Sequence, residues 1–120
     1  MKRGGDAESA ALSFLEERGL RLVERNYRCR MGEIDLIMRE KDTLVFVEVR
    51  KRSSRDFGGA AASITDAKQK KLIHAARHYL SKFGSEPACR FDALLYDETG
   101  KPEWIKNAFF DQDGRSPRFR

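Results

Sequence analysis

Glu33-Ile34-Asp35-Leu36-Ile37-Met38-Arg39 and Leu44-Val45-Phe46-Val47-Glu48-Val49-Arg50 are the two runs whose reading decides the fold. Both are rich in β-branched and apolar residues. Between them lies Glu40-Lys41-Asp42-Thr43, a short polar turn, so the pair reads as a β-hairpin. Counting outward from a turn centred between Lys41 and Asp42 sets Ile37 opposite Phe46, Asp35 opposite Glu48 and Glu33 opposite Arg50. Strand alternation then gathers Glu33, Asp35, Glu48 and Arg50 on one face. Ile34, Leu36, Met38, Val45, Val47 and Val49 fall on the other. A slip of one residue would put carboxylates among the valines, so the apolar set pins the register.

Directly opposed side chains have Cβ atoms about 5 Å apart. Two carboxylates at that distance repel by roughly 3 kcal/mol at an effective dielectric near 20, against a net stability of about 5–15 kcal/mol for a whole domain. A proton, a cationic side chain or a metal ion is needed to offset the repulsion. Arg50 can supply part of it. A hard divalent cation does so most completely, because Mg²⁺ takes one or two carboxylates together with water and phosphate oxygens. The competing reading has Asp35 and Glu48 pointing to solvent and pairing with nearby arginines. It accounts for either residue alone but not for an opposed pair. The chemistry that fits is metal-assisted phosphodiester hydrolysis, with Arg50 orienting water or contacting phosphate.

Upstream of the hairpin, Ala7, Ala10, Ala11, Phe14 and Leu15 recur at helical spacing, predicting a helix over 6–18 that stops at Gly19 and carries Glu8 near its start. Residues 20–29 alternate weakly and read as a strand. Downstream, 51–64 has no steady period, contains Gly58-Gly59, and reads as a long loop of the kind that is usually functional or mobile. Thr65 is a natural N-cap for a helix through about Lys82, with Leu72, Ala75, Ala76, Tyr79, Leu80 and Phe83 as its apolar face. Residues 90–96 read as a strand and 103–106 as a short last one. The basic segment 111–120 reads as a frayed tail. A strand–helix–strand connection favours a parallel crossover. The expected fold is thus α/β: one mixed sheet, antiparallel in the hairpin and parallel after the crossover, flanked by helices.

A chain of 120 residues is expected to form one domain, spanning 1–120. No apolar run is long enough to span a membrane, and the basic N-terminus lacks the apolar stretch of a signal peptide. The expected location is the cytoplasm, where Cys29 and Cys89 would be free thiols. The 24 basic and 19 acidic residues leave a net charge of +5, which suits a polyanionic partner. Distribution matters more than the sum. Arg21, Arg25, Arg28 and Arg30 precede the hairpin; Arg50, Lys51, Arg52 and Arg55 follow it; Lys68, Lys70 and Lys71 open the second long helix. Any one cluster reads equally well as a solvated basic surface; their flanking of the carboxylates favours phosphate binding.

Other chemistry-bearing residues carry less. His74 and His78 have i,i+4 spacing but no third ligand, and read as surface or packing histidines. Asp92, in a strand, is either a further acidic site member or half of a structural salt bridge. Trp104, Phe109 and Phe110 could stack on unpaired bases, but more simply close the edge of the core.

An acidic residue, a hairpin turn and then Glu-x-Lys is the signature of the PD-(D/E)xK nuclease superfamily, and this sequence resembles it at Asp35 and Glu48-Val49-Arg50. It resembles more closely the YraN family of bacterial endonuclease-like proteins. The matching stretches are Arg25-Asn26-Tyr27-Arg28-Cys29-Arg30, Gly32-Glu33-Ile34-Asp35-Leu36-Ile37, Phe46-Val47-Glu48-Val49-Arg50, Phe57-Gly58, Lys68-Gln69-Lys70-Lys71 and Cys89-Arg90-Phe91-Asp92. They run in order across residues 6–109. The resemblance implies a restriction-endonuclease-like fold similar to archaeal Holliday-junction resolvases. It implies metal binding by Asp35, Glu48 and the carbonyl of Val49, the ion expected being Mg²⁺ or Mn²⁺; Glu33, on the same strand face, is read as a further member of the acidic metal site. It also implies support from Glu8 on the first helix and Gln69 on the second. The superfamily's catalytic lysine is Arg50 here. Arginine grips phosphate but does not deprotonate to act as a base; Lys51, the adjacent amine, alternates to the opposite face.

The leading expectation is a metal-dependent endonuclease acting on structured or branched DNA. Asp35, Glu48, Arg50 and Gln69 would form its catalytic set, and Arg50, Lys51, Arg52, Arg55, Lys68, Lys70 and Lys71 its nucleic-acid contacts. Symmetric resolution of a junction would need two sites and hence a homodimer. The alternative is a non-catalytic nucleic-acid-binding protein on the same fold. An interaction module with an incidental acidic patch leaves the opposed carboxylates unexplained.

Overall fold

The structure, a computed structural model, describes residues 3–51, 64–83 and 87–109. Helix α1 (Arg3–Glu16) leads into β1 (Arg21–Cys29), β2 (Gly32–Glu40) and β3 (Thr43–Lys51). Then follow α2 (Asp66–Leu80), β4 (Ala88–Tyr96) and β5 (Pro102–Phe109). The five strands form one sheet in the order β1-β2-β3-β4-β5, with β3 and β4 parallel and the other neighbours antiparallel. The α/β class and mixed sheet are therefore as expected from the sequence, with β5 longer than the predicted 103–106. The predicted 51–64 loop, Arg52, Arg55, Phe110 and the 111–120 tail lie wholly or mostly outside the described residues.

Local chemistry sets the ends of the elements. Gly19 leaves α1 with φ 97, a left-handed conformation that costs glycine little. Thr65 caps α2, its hydroxyl accepting from the Lys68 backbone N–H at 3.2 Å. Asp66 in the first turn, and Arg77 and His78 in the last, complement the helix dipole. The hairpin turn is just Lys41-Asp42, between paired Glu40 and Thr43.

The two helices cover opposite faces of the sheet. Under α2 lie Ile37, Leu44, Phe46, Phe91, Ala93 and Leu95 with Leu72, Ala76 and Tyr79. With Ala11 and Leu15 of α1 lie Leu36, Met38, Val45, Val47 and Leu94. Alternating burial of both faces explains why β3 and β4 read as nearly continuous apolar runs.

One residue departs from the expected alternation. Ile34 was expected beside Leu36 and Met38, yet it joins the α2 cluster. The neighbouring strand changes sides at the same place. Arg25 pairs with Leu36 and Tyr27 with Ile34, and between them Asn26 has φ 53. A left-handed residue inside a strand rotates the chain, so its two neighbours point to opposite faces. Arg25 reaches Ser9 of α1, Nη2 to Oγ at 3.3 Å. Tyr27 instead packs edge-on to Tyr79 and hydrogen-bonds the Nδ1 of His78 on α2. His78 is thus a packing histidine, and Cys29 and Cys89 are free thiols. Asparagine tolerates this conformation better than most residues.

Asp92 belongs to the scaffold. It is 0% exposed, accepts from Arg90 Nε at 2.9 Å, Trp104 Nε1 at 2.9 Å and the Asn107 backbone N–H at 3.0 Å, and so ties β5 to β4 where their register shifts. Arg90 also donates to Glu40 Oε1 at 2.7 Å. Trp104 and Phe109 pack against the two core clusters, closing the sheet edge. Asp92→Ala would leave the indole N–H and a backbone N–H unpaired in the interior. We expect a loss of about 3 kcal/mol in urea denaturation; a loss under about 1 kcal/mol would remove Asp92 from this structural role.

Candidate functional site

The register predicted from the turn holds: Ile37 pairs with Phe46, and Leu36 with Val47. The described ladder between β2 and β3 ends there. At the next position the Asp35 side chain takes over, its Oδ2 accepting the Val49 backbone N–H at 2.9 Å. The Asp35 and Glu48 carboxyl groups come together at this open end, near enough that the charge of Asp35 acts on Glu48. Opposition across the hairpin accounts for their meeting.

Exposure on a solvated face, the competing reading, does not describe them. Glu48 is 5% exposed and Asp35 is half-buried. Its burial, then the charge of Asp35, pushes the Glu48 carboxyl up to about 7. Asp35 is also raised, by burial, despite the opposing effect of the Val49 N–H. Both shifts run towards the protonated form, the usual outcome for like charges confined together. The cation that approaches is Lys68 from the first turn of α2, with Nζ 3.5 Å from Glu48 Oε2. Its charge lowers both carboxyls but does not cancel the cost of burial.

Glu8 approaches from the other helix. Its carboxyl is raised by desolvation and then by the charge of Asp35, while a hydrogen bond from Asn26 and the nearby Arg25 guanidinium act in the opposite direction. Asn26 therefore does two things: it turns the strand over beside Asp35 and holds Glu8. Neither role was singled out in the sequence. An asparagine between alternating residues of a predicted strand was the available signal, since asparagine is enriched at positive φ.

The remaining predicted residues divide. Glu33 was expected opposite Arg50, but it pairs across β1 with Arg28 and forms an ion pair with the guanidinium at 3.5 Å. It still lies close enough to raise Asp35 and Glu8. Arg50 is half-buried on β3 and has no ion-pair partner among the described residues. Gln69 donates from Nε2 to the Ile64 carbonyl at 3.0 Å, holding the entry to α2. Lys51, Lys70 and Lys71 are exposed. No three His, Cys, Asp or Glu side chains already converge as a metal-ligating group among the described residues. What is preformed is the pair Asp35–Glu48, with Glu8 and Glu33 within electrostatic reach.

A raised carboxyl pKa has a definite sign for stability. The folded protein holds the Glu48 proton to about pH 7, whereas an unfolded glutamate releases it near 4.5. The contribution is fully present below about 4.5 and is lost as pH rises through about 7, on the order of 3 kcal/mol at most. In chelator, the wild-type melting temperature should therefore carry a falling component between these pH values that Glu48→Gln lacks, and the variant should melt higher at pH 7.5. Parallel melting curves for the two proteins across that range would contradict the buried-pair description.

No helix among the described residues is long and apolar enough to cross a membrane. The family model described as "Uncharacterised protein family UPF0102" matches residues 7–95, a span that includes Glu8, Asn26, Asp35, Glu48 and Lys68. A UPF0102 protein of Nitrosomonas europaea is 61% identical over 109 residues, covering 89% of this chain and 92% of the relative. One from Psychromonas ingrahamii is 56% identical over 108 residues, covering 89% and 88%. One from Cupriavidus necator is 56% identical over 112 residues, covering 92% and 84%. With a family model spanning most of the chain and relatives of this identity along nearly its whole length, the protein belongs to the UPF0102 family.

Proposed function

We propose that this protein is a metal-dependent endonuclease that hydrolyses phosphodiester bonds in structured or branched DNA. The observation that carries the reading is the Asp35–Glu48 pair: a buried and a half-buried carboxyl group, both with raised pKa, brought together at the open end of a hairpin. Two like-charged carboxyls held together are offset by a proton or by a hard divalent cation. The donor set consists of hard oxygens, as Mg²⁺ or Mn²⁺ prefers. The resemblance of Asp35 and Glu48-Val49-Arg50 to the PD-(D/E)xK and YraN patterns supports the same reading.

Asp35, Glu48 and the Val49 carbonyl would hold the ion, with Glu8 and Glu33 adding negative charge around it. When bound, such an ion acidifies a water and stabilises charge on the phosphate. The Val49 N–H fixes the Asp35 carboxylate in one orientation. Lys68, already beside Glu48, would move onto a phosphate oxygen as the carboxylates turn to the ion. Arg50 would hold the scissile phosphate through its guanidinium fork. Water oxygen bonds to phosphorus, the bond to the departing sugar oxygen breaks, and that oxygen takes up a proton. Two copies of the chain would supply the two cuts that symmetric resolution of a junction requires.

Arg50 favours one second reading, a non-catalytic nucleic-acid-binding protein on the same fold. An arginine at the superfamily's lysine position keeps the phosphate contact and gives up proton transfer.

Labelled junction, flap and linear DNA incubated with Mg²⁺, Mn²⁺ or chelator separate the two. Metal-dependent cleavage should fall on the order of a hundredfold or more in Asp35→Asn. Arg50→Lys should keep or raise the rate, and Arg50→Ala should lower it. Binding to every substrate without metal-dependent cleavage would establish the second reading instead.

A further inference from the structure

Beside the carboxylate pair is a cavity of about 390 Å³ that the hydrolytic chemistry does not use. It lies between the β1–β2 turn and the first turns of α2, and four cationic side chains line it: Arg28, Arg30, Lys68 and Lys71. Glu33 is the one carboxylate among the lining residues, and the exposed Arg28 guanidinium already lies 3.5 Å from it. The lining therefore carries four positive charges against one negative.

Its walls are held together by backbone contact. A Cβ on Gly32 would meet the Lys71 carbonyl oxygen at 2.9 Å, closer than such atoms approach. Glycine there lets the β1–β2 turn sit directly against α2, fixing Arg30 and Lys71 on facing sides of one space. Lys68 belongs to both places. It lines the cavity, and its Nζ is 3.5 Å from Glu48 Oε2. A nucleic-acid strand with one phosphate at the Asp35–Glu48 pair thus has an adjoining cationic hollow for a neighbouring phosphate. Met31, 51% exposed and also lining the space, offers apolar contact to a sugar or base edge.

We infer that this cavity is a subsite for a backbone phosphate of the nucleic acid, flanking the one at the carboxylate pair, with Arg28, Arg30, Lys68 and Lys71 as its ligands. The inference rests on the endonuclease reading for the position of the cleaved phosphate, and it gives the strand a path across the β1–β2 turn and the start of α2. Lys70, one residue from Lys71, does not line the cavity and is outside the subsite. Glu33 acts here as a brake, holding Arg28 away from phosphate.

Equilibrium binding to a fluorescein-labelled DNA junction and a linear duplex, in chelator and across a salt series, tests it. Each lost phosphate contact lowers the slope of log affinity against log salt by about one. The double variant Arg30→Ala/Lys71→Ala should lower it by about two, narrowing the affinity ratio between 50 and 200 mM salt by roughly tenfold. Lys101→Ala/Lys106→Ala, just before and on β5 at the far edge of the sheet, removes the same charge and should leave the slope unchanged. Glu33→Gln should bind more tightly, a change opposite in sign to that expected from damaged folding; melting curves confirm that each variant is folded. Equal slopes for the two double variants would overturn the subsite and leave the endonuclease reading standing. Absence of DNA binding by the wild type would overturn both.

Discussion

The close approach of the Asp35 and Glu48 carboxyls, with Asp35 held by the Val49 N–H, is the constraint around which the molecule is arranged. Burying such a pair is unfavourable unless the surrounding structure holds it in place. The hydrophobic register does so. Phe46 against Ile37 under α2, and Val47 against Leu36 under α1, leave β2 and β3 no freedom to slide. The carboxyls consequently stay opposed, and the burial that keeps them there holds the Glu48 proton near neutrality.

Both helices contribute to the same point from opposite faces. α1 brings Glu8 and α2 brings Lys68, so the open end of the hairpin is where the two layers converge on the sheet. The left-handed Asn26 is part of this convergence. By turning the strands over beside Asp35, it lets Tyr27 and Ile34 pack under α2 while Arg25 and Leu36 face α1. Asn107, also at positive φ, accompanies the register shift where Asp92 is received. The two asparagines accompany opposite outcomes: at Asp92 the carboxylate is saturated by Arg90, Trp104 and backbone, and at Asp35 it faces another carboxyl. Saturation gives a brace; incomplete compensation leaves the Glu48 carboxyl raised to about 7.

Basic residues sort themselves by the same criterion. Arg90 is committed to Glu40 and Asp92. Lys68 is shared between a carboxylate and an open cavity, and Arg30 and Lys71 border that cavity across a glycine contact. Counting positive charge along the chain does not distinguish these situations, because the distinction lies in which carboxylates reach each cation.

Much of the fold was legible in the residues themselves. The hairpin register followed from two apolar stripes and a turn centred between Lys41 and Asp42, and the α2 boundaries from Thr65 and the helical periodicity, because these are local and periodic signals. The opposition of Asp35 and Glu48 came with that register. Tertiary structure alone decided that the carboxylate face is roofed by α2, that Ile34 crosses to that side, that Glu33 answers Arg28 and not Arg50, and that Asp92 is a brace. Each of these depends on a partner distant in the chain, or on one backbone rotation at Asn26. Strand alternation carries no information about either.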